Sequence, residues 1–212
     1  MEKVEHLLAT KLLSISAIQL QPDNPFTWAS GWNSPIYTDT RRTMSYPGIR
    51  TFIKLELCRH IIENFPEVQA IVSVSTGAIA QGVLVADDLN LPYAYVRATP
   101  KDHGLENLIE GNLKPRQKVV VVEDIVSTGA NTLKAVHAIR DAGCDVVGIV
   151  TMFSFDFPEA TEAVKQLGIE LISLTNYHEL LRTALETNYI TAEDVEILSD
   201  WHKNPRNWTP VR

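Results

Sequence analysis

The sequence predicts an α/β fold, with a central mostly parallel sheet flanked by helices, and three observations carry that expectation. Val119 to Val122 are four consecutive valines without polar interruption, the habit of a strand buried on both faces of a parallel sheet. Ala70 to Val74 is a second apolar run of the same kind. Each run is followed by a short loop of small and hydroxyl residues and then by a helical pattern, the alternation expected of strands joined by helical crossovers.

Taken in order, Val4, Leu7, Leu8, Leu12 and Ile15 recur at helical spacing and predict an amphipathic helix from about Glu2 to Ser14. From Ala17 to Tyr37 the chain places Pro22, Pro25, Pro35 and Gly31 among Phe26, Trp28, Trp32 and Tyr37. Such a stretch is too rich in proline for a helix, so short strands or turns are expected, with aromatic rings covering a cleft. Ser45 and Pro47 suit an N-cap and a first turn, opening a helix to about Asn64 with Ile49, Phe52, Ile53, Leu57 and Ile61 as its core stripe.

After the strand at Ala70 come Ser75 to Ala78 and a helix to about Asn90; Leu91 to Arg97 then reads as a third strand. Ala98 to Gly111 is a polar loop of the length that lids have. Asn112 to Gln117 is a turn before the valine strand, and Thr132 to Ala142 is a helix stopped at Gly143. Asp145 to Phe153 and Glu170 to Leu174 are further strands, with a helix from Pro158 to Leu167 between them. The last helices are His178 to Asn188 and Thr191 to Asn204, the latter opened by Thr191 and Asp194, and Trp201 and Trp208 are expected to pack on the body.

Bulk properties narrow the function. A formal charge of -7 argues against a nucleic-acid surface, whose binding depends on neutralising phosphates. Cys58 and Cys144 are too few for a disulfide framework or a zinc site, which points to reduced thiols. The longest apolar run, near Val146 to Phe153, is far short of a membrane span, and Met1 to His6 is no signal peptide. A cytoplasmic protein is expected, with no membrane and no nucleic-acid partner.

The chemistry concentrates after the valines, in Glu123, Asp124, Ile125, Val126, Ser127, Thr128, Gly129, Ala130 and Asn131. Loops at the carboxyl ends of parallel strands form the ligand crevice of α/β proteins, and a helix start presents free amides to a phosphate. Ser127, Thr128 and Gly129 suit that cradle because they are small and carry hydroxyls. Glu123 and Asp124 would repel a phosphate, so they should face sugar hydroxyls or a magnesium ion. A ribose 5-phosphate satisfies both halves.

This stretch resembles the phosphoribosyl diphosphate (PRPP) motif of type I phosphoribosyltransferases. The resemblance implies that fold, with a small N-terminal hood, and places Glu123 and Asp124 on the ribose hydroxyls and Ser127 to Asn131 on the 5-phosphate. Phe26 to Tyr37, with Asp39 and Arg41 beside it, is similar to the hood of orotate phosphoribosyltransferases, which closes over the flat base. A guanidinium can clamp a carboxylate, so Arg41 is the candidate for the orotate carboxylate; an ordinary surface ion pair is the other reading. Ser127 would also face the base.

Arg97, Lys101 and His103 fall on the basic positions of that family's mobile loop, which implies contacts to pyrophosphate, with Lys101, His103 and Asp124 as the catalytic set. The resemblance further implies Mg2+ bound mainly through PRPP, and a homodimer with shared active sites. It implies one domain over residues 1–212: hood from about 1–45, core about 46–175 and C-terminal helices about 176–212. Ser73, Ala80 and Ala98 depart from the family pattern, and Phe155 stands where one branch has a base-binding arginine. A non-catalytic PRPP-binding regulator and a phosphoribosyltransferase for another base stay open as alternatives.

Overall fold

The computed structural model describes residues 3–28, 31–99 and 108–210. In chain order these form α1 (Val4–Ser14), β1 (Ile18–Leu20), β2 (Phe26–Thr27), β3 (Asn33–Ser34), β4 (Ile36–Thr38), a 3-10 helix (Thr40–Ser45) and α2 (Pro47–Asn64). There follow β5 (Ala70–Val74), α3 (Ile79–Asp88), β6 (Tyr93–Val96), β7 (Ile109–Gly111), β8 (Lys118–Val126) and α4 (Ala130–Asp141). The chain continues through β9 (Asp145–Ser154), α5 (Pro158–Gln166), β10 (Glu170–Asn176), α6 (Tyr177–Glu186) and α7 (Ala192–Lys203).

Six strands form one sheet in the order β10-β9-β8-β5-β6-β7. All neighbours are parallel except β6 and β7, which pair antiparallel. The expected mostly parallel sheet is therefore borne out. Strand order reverses between β5 and β8, because the chain leaves β5 outward through β6 and β7 and returns to β5's other side. Such a reversal opens a crevice at the strands' carboxyl ends, where the loops on either side diverge.

Burial explains why these sequences form this sheet. Val119, Val120, Val121 and Val122 are wholly buried, and two apolar clusters account for the two faces. Val120 and Val122 join Ile53, Leu57, Ile61 and Val85 of α2 and α3, while Val119 and Val121 join Ala135, Val136 and Ile139 of α4. The alternation is that of a strand whose successive side chains point to opposite faces.

Several boundaries differ from expectation for identifiable reasons. The acidic pair lies within β8 and not beyond it, because β9 extends to Ser154 and keeps pairing through Glu123↔Thr151 and Val126↔Ser154. Tyr46, not Ser45, holds the N-cap of α2, since Ser45 ends the unforeseen 3-10 turn; Pro47 does open the helix. The tail of the long polar loop forms β7, whose register on β6 runs from Val96↔Ile109 to Ala94↔Gly111. The capping box of Thr191 and Asp194 is present as expected, and Trp201 and Trp208 are buried.

The hood comprises two small antiparallel pairs, β1 with β4 and β2 with β3. It is anchored at a distance: Trp201 Nε1 of α7 donates to the Asn33 carbonyl at 3.2 Å.

One close approach in the core is open to direct test. Gly148 on β9 lies flat against the buried Phe65 ring, and a Cβ there would overlap it. Gly148→Ala is expected to destabilise the protein by about 1–3 kcal/mol through overpacking, read as a lowered urea midpoint at unchanged m-value.

Candidate active site

At the end of β8 the chain turns through Ser127, Thr128 and Gly129 into α4. Gly129 is the N-cap and has φ 80, in the left-handed region, where a side chain would be strained. Gly129 has no side chain with which to cap α4. The first amides of a helix lack intrahelical partners, so this end offers several N–H donors and the positive end of the helix dipole to an anion.

The loop after β5, Ser75 to Ala78, runs alongside. Ser75 N–H donates to the Val96 carbonyl at 2.9 Å, and the Ser75–Thr76 peptide is cis. Gly77 packs so closely on Asp124 that a Cβ there would collide with the carboxylate. The two strand-loop-helix units seen in the sequence thus converge at the crevice between β5 and β8.

The adjacent acids meet different surroundings. Glu123 is only 5% exposed, accepts from Thr132 Oγ1 of α4 at 3.2 Å and from the Asp124 N–H at 3.2 Å. Burial, and then the charge and side-chain hydrogen bond of Asp124, push its pKa well above the usual 4.5. Asp124 is turned toward the hood, where Thr40 Oγ1 donates to its Oδ2 at 2.6 Å.

Between hood and sheet lies a cleft of about 390 Å³ lined by Thr27, Trp28, Tyr37, Thr38, Ile125, Ser127 and Phe155. Trp28 is held by its Nε1 donating to the Ile36 carbonyl at 3.0 Å, and its ring meets Phe155 edge-on at 5.9 Å. Phe155 in turn packs against Phe157 at 5.3 Å and Trp201 at 6.0 Å, and its carbonyl accepts from His202 Nε2 at 2.5 Å. Geometry of this kind adds roughly 0.5–1.5 kcal/mol per aromatic pair beyond area burial. The cleft wall is therefore rigid, flat and largely apolar, with the Ser127 and Thr residues as its polar groups. A larger groove, about 450 Å³, between α5 and β10 holds none of the residues singled out from the sequence.

The residues expected to act together are only partly assembled. Ile125 and Ser127 line the cleft, Asp124 is in contact with Thr40 and Gly77, and Thr128 to Asn131 follow, whereas Val126 is buried and its carbonyl accepts from Phe155 N–H at 2.9 Å. Arg97 lies at the end of β6, within 3.6 Å of Glu110 on β7. Arg41 pairs with Asp39 at 2.6 Å with its side chain 62% exposed, the surface pairing that was the competing reading. That hydrogen bond and the charge of Asp39 raise the Arg41 pKa. Lys101 and His103 lie outside the described residues.

Two features escaped the sequence. Thr40 sits in a 3-10 turn with no periodicity to mark it. Phe155 read as a missing arginine, although the aromatic run through Phe153, Phe155 and Phe157 was a signal of a packed wall.

Similarity to known proteins agrees with this geometry. A phosphoribosyl transferase domain model matches residues 55–183. An orotate phosphoribosyltransferase of Phocaeicola vulgatus is 58% identical over 208 residues, covering 98% of each chain. The chain belongs to the orotate phosphoribosyltransferase family. Among solved structures, the orotate phosphoribosyltransferase from Aeropyrum pernix shares the fold, with a TM-score of 0.73 at 24% identity, over 87% of this chain and 99% of that one. That of Mycobacterium tuberculosis H37Rv, crystallised in complex with PRPP, superposes with a TM-score of 0.65 at 25% identity, over 84% of this chain and 98% of that one. The family and fold read from the acidic motif and the hood are thereby borne out.

The buried acid of this family member predicts a pH effect. A carboxyl whose folded pKa is raised contributes stability below its unfolded pKa and loses it as pH rises through the folded value. Glu123→Gln removes that titration, so the melting temperature of the variant minus that of wild type should climb between pH 5 and pH 8. A difference independent of pH would mean that Glu123 is not held neutral.

Proposed function

We propose that this protein transfers the 5-phosphoribosyl group from PRPP to orotate, giving orotidine 5-phosphate and pyrophosphate, in de novo pyrimidine (UMP) biosynthesis. The observation that carries this reading is an aromatic cleft that shares Ser127 with the turn leading into the start of α4. A flat base between hood and sheet then has its reacting ring nitrogen near Ser127, over a sugar whose phosphate points at α4.

In this reading the amides of Thr128 to Asn131 bind the 5-phosphate. Asp124 accepts from the ribose hydroxyls, with Glu123 behind it shaping its charge. Trp28 and Phe155 fix the plane of the base, and Ser127 meets its polar edge. Arg41 binds the orotate carboxylate, which requires it to leave Asp39. As the bond from the anomeric carbon to pyrophosphate breaks and the bond to the base nitrogen forms, negative charge grows on the leaving oxygens. Arg97, Lys101 and His103 stabilise that charge, and closure of their loop excludes water from an oxocarbenium-like centre. Binding aligns the two reactants, which removes much of the entropic barrier.

Magnesium fits as a companion of the substrate. The ion would be carried by PRPP oxygens and water beside Asp124. When bound it supplies charge neutralisation to the diphosphate. The protein acts in the cytoplasm as a homodimer whose loops complete the neighbouring site, and residues 1–212 work as one domain. Among the described residues no helix is long and apolar enough to cross a membrane, in keeping with that location.

Orotate consumption followed with PRPP and magnesium present should be PRPP-dependent and resist competition by adenine, hypoxanthine and uracil. No PRPP-dependent loss of orotate would refute the reading. Lys101→Ala should lower turnover by about 100-fold or more with modest loss of PRPP binding, because its charge matters most as pyrophosphate leaves. Mixing it with Asp124→Asn should restore part of the activity through hybrid sites, and no recovery after confirmed subunit exchange would place each site within one chain.

A further inference from the structure

Thr40 stands outside both sequence motifs, yet it makes a direct side-chain contact to the acid at the centre of the crevice. Its side chain is almost wholly buried, at 3% exposure, and its Oγ1 donates to Asp124 Oδ2 at 2.6 Å. That length is at the short end of the range for a hydroxyl donating to an oxygen acceptor. The donor is itself held: the Thr40 carbonyl accepts from Thr43 Oγ1 at 2.7 Å, and Thr43 is 1% exposed.

A second close approach is made to the same carboxylate. Gly77, in the loop after β5, leaves no room for a Cβ against Asp124. The acid is thus gripped between the 3-10 turn and the β5 loop, and its rotamer is set by both. Three and two residues before Thr40, Tyr37 and Thr38 of β4 line the cleft assigned to the base. One short segment therefore touches the base side and the ribose side of the site.

We propose that Thr40 is a positioning residue for the phosphoribosyl donor: its hydroxyl fixes the Asp124 carboxylate for the sugar hydroxyls and links it to the hood strand over the base. The inference rests on the reading of Asp124 as the ribose acid. A carboxylate offers about four lone-pair sites, so one bond from Thr40 leaves the others for a sugar. Without that donor the carboxylate swings free, and ordering it again opposes donor binding.

The test is a double-mutant cycle with PRPP affinity as its first readout, measured by calorimetry with magnesium present. Thr40→Val keeps shape and removes the hydroxyl; Thr40→Ala removes it without any risk of overpacking; Thr40→Ser restores it. Valine and alanine should each weaken PRPP binding by about tenfold. Serine should return the affinity to within about twofold of wild type, and the KM for orotate should stay near wild type in all three. In an Asp124→Asn background, removing the Thr40 hydroxyl should have no further effect, because it acts through that acid.

Wild-type affinity in both hydroxyl-free variants would overturn the proposal, as would full additivity with Asp124→Asn. The outcomes also separate the two readings. Wild type that binds PRPP yet does not consume orotate refutes the assigned reaction and leaves Thr40 to be judged on affinity. Wild-type turnover with unaffected Thr40 variants refutes the positioning role alone, and wild type that fails to bind PRPP refutes both.

Discussion

A strand buried on both faces has nowhere to put a charge except at its end, and β8 is such a strand. Its valines are covered by α2 and α3 on one side and by α4 on the other. The pairing with β9 nevertheless continues through Glu123 to Val126. Two carboxyls are therefore carried on a rigid ladder to the point where the strand order reverses, instead of hanging on a loop. That placement has a consequence for their chemistry. Glu123 is enclosed and driven toward its neutral form, while Asp124 faces the crevice with a hydroxyl donor already on it. Like charges side by side would otherwise oppose each other, and the raised pKa of Glu123 removes the conflict.

The second half of the site depends on aromatic packing across the whole chain. Trp28 from the hood, Phe155 from the end of β9 and Trp201 from α7 form one contact chain, reinforced by hydrogen bonds from Trp201 to Asn33 and from His202 to Phe155. The C-terminal helix thus holds the wall of a cleft formed by residues far earlier in the sequence. Preorganised walls matter because a base that must order its own pocket binds more weakly. Phe155 in place of an arginine makes this wall apolar, so the charge for a carboxylated base has to come from another side. Arg41, engaged with Asp39, is a guanidinium outside the cleft lining.

The parallel sheet was legible because period and burial agree: four valines, a small-residue loop and a helical stripe leave few alternatives. The phosphate end of the site was legible for the same reason, since strand, small loop and helix start are contiguous. What stayed hidden was whatever depends on distant segments meeting. Nothing in the sequence around Thr40 signals that its hydroxyl reaches an acid far along the chain, and no local pattern shows that Phe155 becomes a cleft wall. Ser45 reads as a cap from the sequence because a 3-10 turn carries no hydrophobic period, yet it ends that turn and Tyr46 is the N-cap. The extension of β8 past its valines escaped for another reason: a polar pair at a strand's end reads as a loop unless its partner strand is known to continue.

In the proposed reading one sugar phosphate spans the two ends of this short stretch, hydroxyls on Asp124 and phosphate on the first amides of α4. A crystal structure of the protein with ribose 5-phosphate bound tests it most directly. Phosphate oxygens are expected within about 3 Å of the Thr128 to Asn131 amides, and a ribose hydroxyl at hydrogen-bond distance from the Asp124 carboxylate. Density for the ligand in the groove between α5 and β10, or with its phosphate away from α4, would contradict it.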